Sequence, residues 1–381
     1  MIISLHRKPT LFFLMIIFCS FWFSKNAFSK SNPVQQLNKH ILISISSFKT
    51  PNTDSNYFQK MEMKLQQVKL YYLKIEAEKN WTTIPKIKNK LQLGDSSIAI
   101  IRIKKNLKKM GDYVGIDTNI YFNEGLKLGV INFQKRMGID QNGIINNSLI
   151  LSINNSVDYV IKQIEASIKT ISKLADIGVG DFIYVNIPAF NLQVFKNNIP
   201  QIEMKVIVGK YKNQTPTFNT VLNSLVVCPY WNVPKSIEQK EILPLLKKNP
   251  NYLNKHNMEW SNGIIRQRPG PTNSLGRIKF IIPNQYAVFM HDTPIKSLFE
   301  KRVRMFSHGC IRLNDAKKLA LYLMQHDKRW DSAKLENAII ENMEKRIEVK
   351  APIPVYISYL TAWVDDDGVL QLRDDIYGRN K

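Results

Sequence analysis

Phe306-Ser307-His308-Gly309-Cys310-Ile311-Arg312-Leu313 is the stretch from which the rest of this 381-residue chain can be read. It alternates apolar and polar residues around one glycine, the pattern of a short strand with a tight backbone feature inside it. On a continuous strand His308 and Cys310, two residues apart, point to the same side. A thiol is a strong nucleophile only as thiolate, and a nearby imidazole is the usual means of removing its proton. Gly309 leaves room for a carbonyl to approach, and the N–H groups around Gly309 and Cys310 can form an oxyanion hole. A second imidazole, His291 in Phe289-Met290-His291-Asp292-Thr293-Pro294, ends an apolar run. A strand there presents it at a domain rim.

Taken singly, each residue has a plainer reading. A lone His at a strand end is most often structural, and a lone Cys is most often a small core residue. Two His and one Cys can also be zinc ligands. The x-His-x-Cys spacing is unlike common zinc motifs and no Cys pair supports it, so neither metal nor cofactor is expected.

Outward from this segment, residues 181–381 read as a mainly β domain with a few helices. Phe182–Ile187, Leu192–Phe195 and Ile202–Val208 are β-rich runs broken by Pro188 and Lys196-Asn197-Asn198. Further strands are expected at Val226–Cys228, Ile278–Ile282, Ala287–Met290 and Pro354–Tyr359. Asn314-Asp315 can cap a helix with Ala316, Leu319, Ala320 and Leu323 on one face, and a second helix is expected over 332–346. Residues 235–262 read as a helical insertion between strands.

The part before it is helical. Residues 57–95 carry a stripe (Met61, Leu65, Val68, Tyr72, Ile75) that reads as a packed scaffold helix. Residues 96–155 form a small module in which Leu126, Val130, Phe133 and Met137 make one helical stripe, stopped at Gly138. Residues 156–180 connect it to the β domain.

Composition sets the setting. There are 54 Lys+Arg against 31 Asp+Glu, a net charge of +23, and 41 of the cations are Lys. Base-reading surfaces favour Arg, so nucleic acid is not the expected partner. Arg7 and Lys8 precede an apolar run from Leu11 to Phe23, and Ala27-Phe28-Ser29 supplies small residues at a cleavage site. Residues 1–29 therefore read as a secretory signal peptide, with an uncleaved anchor as the alternative, and 30–56 as a linker. Export places the protein in the periplasm, with membrane contact only through an uncleaved signal. The charge then suits a general attraction to an anionic cell envelope. Beyond residue 29 only Cys228 and Cys310 remain. In an oxidising compartment they either pair or leave a working thiol, and the surroundings of Cys310 favour the thiol.

With these segments in place a resemblance is evident. Ile265–Phe280, His291–Pro294 and Phe306–Leu313 resemble L,D-transpeptidases of the YkuD type, best in the large Gram-negative YcbB-like form. Fifteen residues separate His291 from Ser307, as the family's spacing asks. Val185–Phe190, Val208–Lys210, Thr215-Pro216, Pro229–Pro234 and Asp374–Gly378 agree with it. Val130–Ile144 resembles the core of peptidoglycan-binding modules.

The resemblance implies an α+β protein: a YkuD-like β-sandwich with a capping insertion, preceded by a small helical peptidoglycan-binding-like domain. It implies Cys310 as nucleophile and His291 as general base, oriented by a backbone carbonyl or by Asp292. Ser307, His308 and Gly309 would shape the site, and Arg312, Trp231 and Asp292 would bind substrate. The partners implied are peptidoglycan stem peptides as donor and acceptor. The thioester formed on Cys310 would pass to the diaminopimelate amine of a second stem, or, as an L,D-carboxypeptidase or cross-link hydrolase, to water. A non-catalytic wall-binding protein and a zinc hydrolase are the other classes weighed. Two positions depart from the family: Phe289 replaces a frequent Tyr, and Cys228 a frequent Asn.

Overall fold

The computed structural model describes residues 55–155, 157–175 and 180–380. The expected signal peptide and the linker up to residue 54 lie outside them. No helix among the described residues is long and apolar enough to cross a membrane.

Helix α1 (Tyr57–Ala77) starts in a capping box: the Asn56 side chain accepts from the Gln59 N–H, and the Gln59 side chain accepts from the Asn56 N–H. Its expected stripe is buried, with Phe58 added. It packs along α5 (Val157–Ala175), and the pair lies on Phe182, Tyr184, Phe195 and Tyr356 of the β domain. The helical module contains α2 (Ile98–Lys109), α3 (Glu124–Arg136) and α4 (Asn147–Ile153), capped by the side chains of Ser97, Asn123 and Asn146. Ile84 and Leu91 join its core with Ile100, Leu107, Leu126, Phe133 and Ile150. Gly138, at φ 64°, ends the α3 segment and lies against Arg373, whose Nη1 donates to the Arg136 carbonyl at 2.8 Å. That contact ties the module to the β domain.

The strands are β1 (Phe182–Asn186), β2 (Asn191–Lys196), β3 (Ile199–Gly209), β4 (Phe218–Val227), β5 (Trp231–Asn232), β6 (Met258–Ser261) and β7 (Ile264–Gln267). They continue with β8 (Ile278–Ile281), β9 (Met290–His291), β10 (Met305–Ser307), β11 (Ile311–Leu313), β12 (Lys345–Ser358), β13 (Ala362–Val364) and β14 (Leu370–Leu372). Nine form one mixed sheet in the order β10-β3-β11-β9-β8-β4-β12-β1-β2. The long β3 closes it: its first part pairs with β2, its end with β11 and β10. The expected sandwich thus takes the form of a single sheet folded back over its own core. Ile183, Val185, Leu192, Val206, Leu225, Phe280, Val355 and Ile357 fill that core. Strand β1 is buried at every position because its alternate face, Phe182 and Tyr184, meets the α1–α5 pair.

Several expectations are revised. Strand β9 begins at Met290 rather than Ala287. Ala287 has φ 54°, and the Asn284 side chain accepts from the N–H groups of Tyr286 and Val288 at 2.9 and 3.2 Å, making a turn. Helix α7 (Ser332–Glu341) stops at Asn342, which takes the left-handed conformation, and β12 begins soon after. Helix α6 (Ala316–Met324) is capped by Asp315 as expected. The insertion is helical only to Lys255. Its second half is the β6–β7 hairpin, turning at Asn262-Gly263 with φ 48° and 75°, and β5 joins it in a three-stranded sheet.

Candidate active site

Strands β8, β9 and β11 place three side chains abreast: Lys279 pairs with His291, and His291 with Arg312. Cys310 is the residue before β11, and the Ile311 N–H next to it donates to the Phe289 carbonyl at 3.1 Å. Three segments distant in sequence, carrying Lys279, His291 and Cys310 with Arg312, are so gathered by sheet register. Cys310 and Cys228 are both free thiols, and no disulfide joins them. Cys228 is buried beneath α7, its sulfur 3.6 Å from the Ile339 carbonyl.

The expected continuous strand across 306–313 is broken, and this corrects the placement of His308. Strand β10 ends at Ser307, the chain turns at Gly309 with φ 116°, and β11 starts at Ile311. His308 therefore turns outward from Cys310. Its Nε2 lies 2.7 Å from Glu241 Oε1 of the insertion, an exposed contact between the turn and the cap. Ser307 stitches the turn, accepting from the Gly309 N–H at 3.1 Å and donating to the Cys310 carbonyl at 2.5 Å.

A second support comes from residues whose role the sequence did not reveal. The Thr215 hydroxyl donates to the Gly309 carbonyl at 2.8 Å and accepts from the Gly209 N–H at 2.9 Å. The Tyr377 hydroxyl donates to the Gly209 carbonyl at 2.7 Å. The Thr215-Pro216 and Asp374–Gly378 segments, far apart in the chain, so converge behind the Gly309 turn.

His291 is 4% exposed. Its Nδ1 donates to the Asp292 carbonyl at 2.5 Å, and the Leu275 carbonyl is a second backbone acceptor at the ring. The carbonyl thus orients the imidazole. The Asp292 carboxylate is engaged elsewhere: it accepts from the Arg277 N–H at 2.9 Å and from Lys296 Nζ at 2.5 Å. Trp231 is half-buried and packs on the apolar cluster of the cap, Val233, Ile242, Met258 and Ile265.

Electrostatically the site is cationic. Burial pushes the His291 imidazole down to about 3, helped by Arg312 and then Lys279, against the two carbonyls. Burial pushes the Cys310 thiol up, against the Phe289 backbone, Lys279 and Arg312. Both shifts favour the neutral forms, thiol and imidazole. Lys279 lies 4.1 Å from the centre of the Phe289 ring, which itself stands 5.5 Å from the His291 ring. Among the described residues Lys279 and Arg312 make no ion pair, and Arg312 Nε is buried without a hydrogen-bond partner. No group of three His, Cys, Asp or Glu among the described residues could hold a metal ion.

A half-buried thiol, a carbonyl-oriented imidazole and a glycine turn are the parts that nucleophilic cysteine chemistry uses. Residues 180–349 match the YkuD model, described as the L,D-transpeptidase catalytic domain. A curated relative from Haemophilus influenzae, provisionally named an L,D-transpeptidase, is 30% identical over 220 residues, 52% of this chain and 44% of the relative. The chain thus spans less than half of that relative's length. An L,D-transpeptidase structure from Mycobacterium smegmatis is similar at 16% identity and TM-score 0.25, covering 48% of this chain and 59% of that one. One from Stackebrandtia nassauensis is similar at 13% identity and TM-score 0.27, covering 72% and 96%.

Proposed function

We propose that this protein is a periplasmic peptidoglycan L,D-transpeptidase that forms direct diaminopimelate–diaminopimelate cross-links. The observation that carries the reading is the register of β11 on β9, which pairs Arg312 with His291 and brings Cys310, the residue before β11, to the same strand end, with His291 held through Nδ1 so that Nε2 is left for the thiol. Nε2 takes the Cys310 proton as sulfur attacks the carbonyl of the L-centre of diaminopimelate in a donor tetrapeptide. With the Gly309 N–H donated to Ser307 and the Ile311 N–H to the Phe289 carbonyl, the Cys310 N–H at the turn is the donor assigned to the oxygen that gains charge. The tetrahedral adduct collapses with proton transfer from His291 to the leaving nitrogen, releasing D-alanine and leaving a thioester on Cys310. The side-chain amine of a second stem then attacks the thioester, gives up a proton to His291, and restores the thiol.

Arg312 grips a donor carboxylate in this reading, which its buried unpaired Nε supports. The insertion caps the cleft and meets the nucleophile turn at Glu241–His308. The helical module and the basic surface hold the enzyme on the anionic wall. Muropeptide analysis of purified sacculi after incubation with the enzyme tests this reading. New cross-linked dimers joined through diaminopimelate support it; trimmed tripeptides without dimers would assign the thioester to hydrolysis instead.

A further inference from the structure

We propose that an anionic donor switches on its own nucleophile: a carboxylate seated on Arg312 lets His291 take the Cys310 proton, and Lys279 holds the resulting thiolate. This rests on the donor-binding role given above to Arg312. The geometry is the row Lys279–His291–Arg312 across three adjacent strands, a base with one cation on each side. The step breaks the sulfur–hydrogen bond and forms a nitrogen–hydrogen bond, with no change in total charge. It nevertheless creates an imidazolium beside a bare guanidinium, and like charges in a buried site oppose each other strongly.

Among the described residues no acid forms an ion pair with Arg312. Asp292, the acid adjacent to His291, is engaged by Arg277 and Lys296. Glu344 acts on Lys279 and accepts from the Tyr230 N–H at 2.8 Å. The remaining charged groups at the pair are Lys279 and Arg312 themselves. They divide the work: Arg312 is the stronger influence on His291, and Lys279 the stronger on Cys310. A carboxylate on Arg312 therefore removes the obstacle to the imidazolium and leaves the support for the thiolate in place. Without a donor the thiol stays protonated, which also guards it against stray oxidation in an oxidising compartment.

The test follows the His291 ring by NMR over the pH range in which the folded protein persists, assigned through a His291→Gln variant. Arg312→Met should raise the midpoint by about one pH unit or more, tenfold in protonated fraction. Arg312→Lys, which keeps the charge, should stay close to wild type, separating charge from damage to the fold. The tripeptide L-alanyl-γ-D-glutamyl-diaminopimelate offers carboxylates but no scissile bond to D-alanine. It should raise the wild-type midpoint and leave Arg312→Met unmoved. Lys279→Met should instead slow iodoacetamide alkylation of Cys310 by about tenfold at neutral pH, as loss of a nearby cation raises a thiol. Equal midpoints in wild type and Arg312→Met, or a tripeptide shift that survives loss of Arg312, overturn the proposal. Failure of the wild type to release D-alanine would strike the functional reading, while the Arg312→Met titration would still decide this one.

Discussion

His291 Nδ1 donates to the backbone carbonyl of Asp292 at 2.5 Å, so the imidazole is aimed by the main chain of the residue that follows it. The Asp292 carboxylate secures that main chain through the Arg277 N–H and Lys296. Gly276 makes this possible: it has φ 65°, and a Cβ there would overlap the Asp292 carboxylate. Gly276→Ala should lower kcat by about tenfold or more, with a stability loss of about 1–3 kcal/mol from the strained backbone. Unchanged kcat in a folded Gly276→Ala protein would show that the Asp292 clamp does not set the base.

The pH dependence follows from the two shifts. His291 is held down to about 3, so the base is neutral and available throughout the neutral range. The thiol is pushed up, so the thiolate of the free enzyme increases with pH beyond the ordinary thiol range. Iodoacetamide alkylation of Cys310, located by peptide mass spectrometry, should keep rising past about pH 8.5, the ordinary thiol value. A plateau already reached at pH 6–7 would instead indicate a preformed thiolate–imidazolium pair.

Within the helical module, Arg136 and Asp112 form a fully buried pair, with Nε 2.7 Å from Oδ1 and Nη2 2.7 Å from Oδ2. Arg136→Met leaves the carboxylate buried without its cation. The expected cost is about 3–5 kcal/mol, read as a lowered unfolding midpoint in urea. The paired change Arg136→Met with Asp112→Leu should recover most of it, since the desolvation penalty goes with the charges.

Much of the site was legible in the chain because its parts are local. The turn chemistry of Ser307 to Cys310 and the His291 spacing sit in short segments, and the Leu126–Phe133 stripe follows one helix. What escaped depended on long-range pairing. Closure of the sheet by β3 needs partners from residue 191 to residue 313. Thr215 and Tyr377 gain their role only when two segments 162 residues apart meet behind Gly309. Lys279 reads as an ordinary strand lysine until register sets it beside His291. His308 was misplaced because alternation assumes an unbroken strand, and the positive φ of Gly309 breaks it. The β6–β7 hairpin carried a usable signal, Asn262-Gly263 after Met258-Glu259-Trp260-Ser261, the turn dipeptide of tight hairpins.

A carbapenem presents a strained lactam carbonyl in place of the donor amide. It should add once to the protein, with the adduct on Cys310 and none on Cys228, which lies fully buried under α7. Intact-mass and peptide analysis separate the two thiols. An adduct on Cys228, or none at all, would count against Cys310 as the acylated residue.

The central claim is that the Cys310 sulfur carries the acyl group, and D-alanine release from tetrapeptide stems measures it most directly. Wild-type protein should release D-alanine, and Cys310→Ala should release none while still binding sacculi. Release by Cys310→Ala at a rate near wild type would contradict the account.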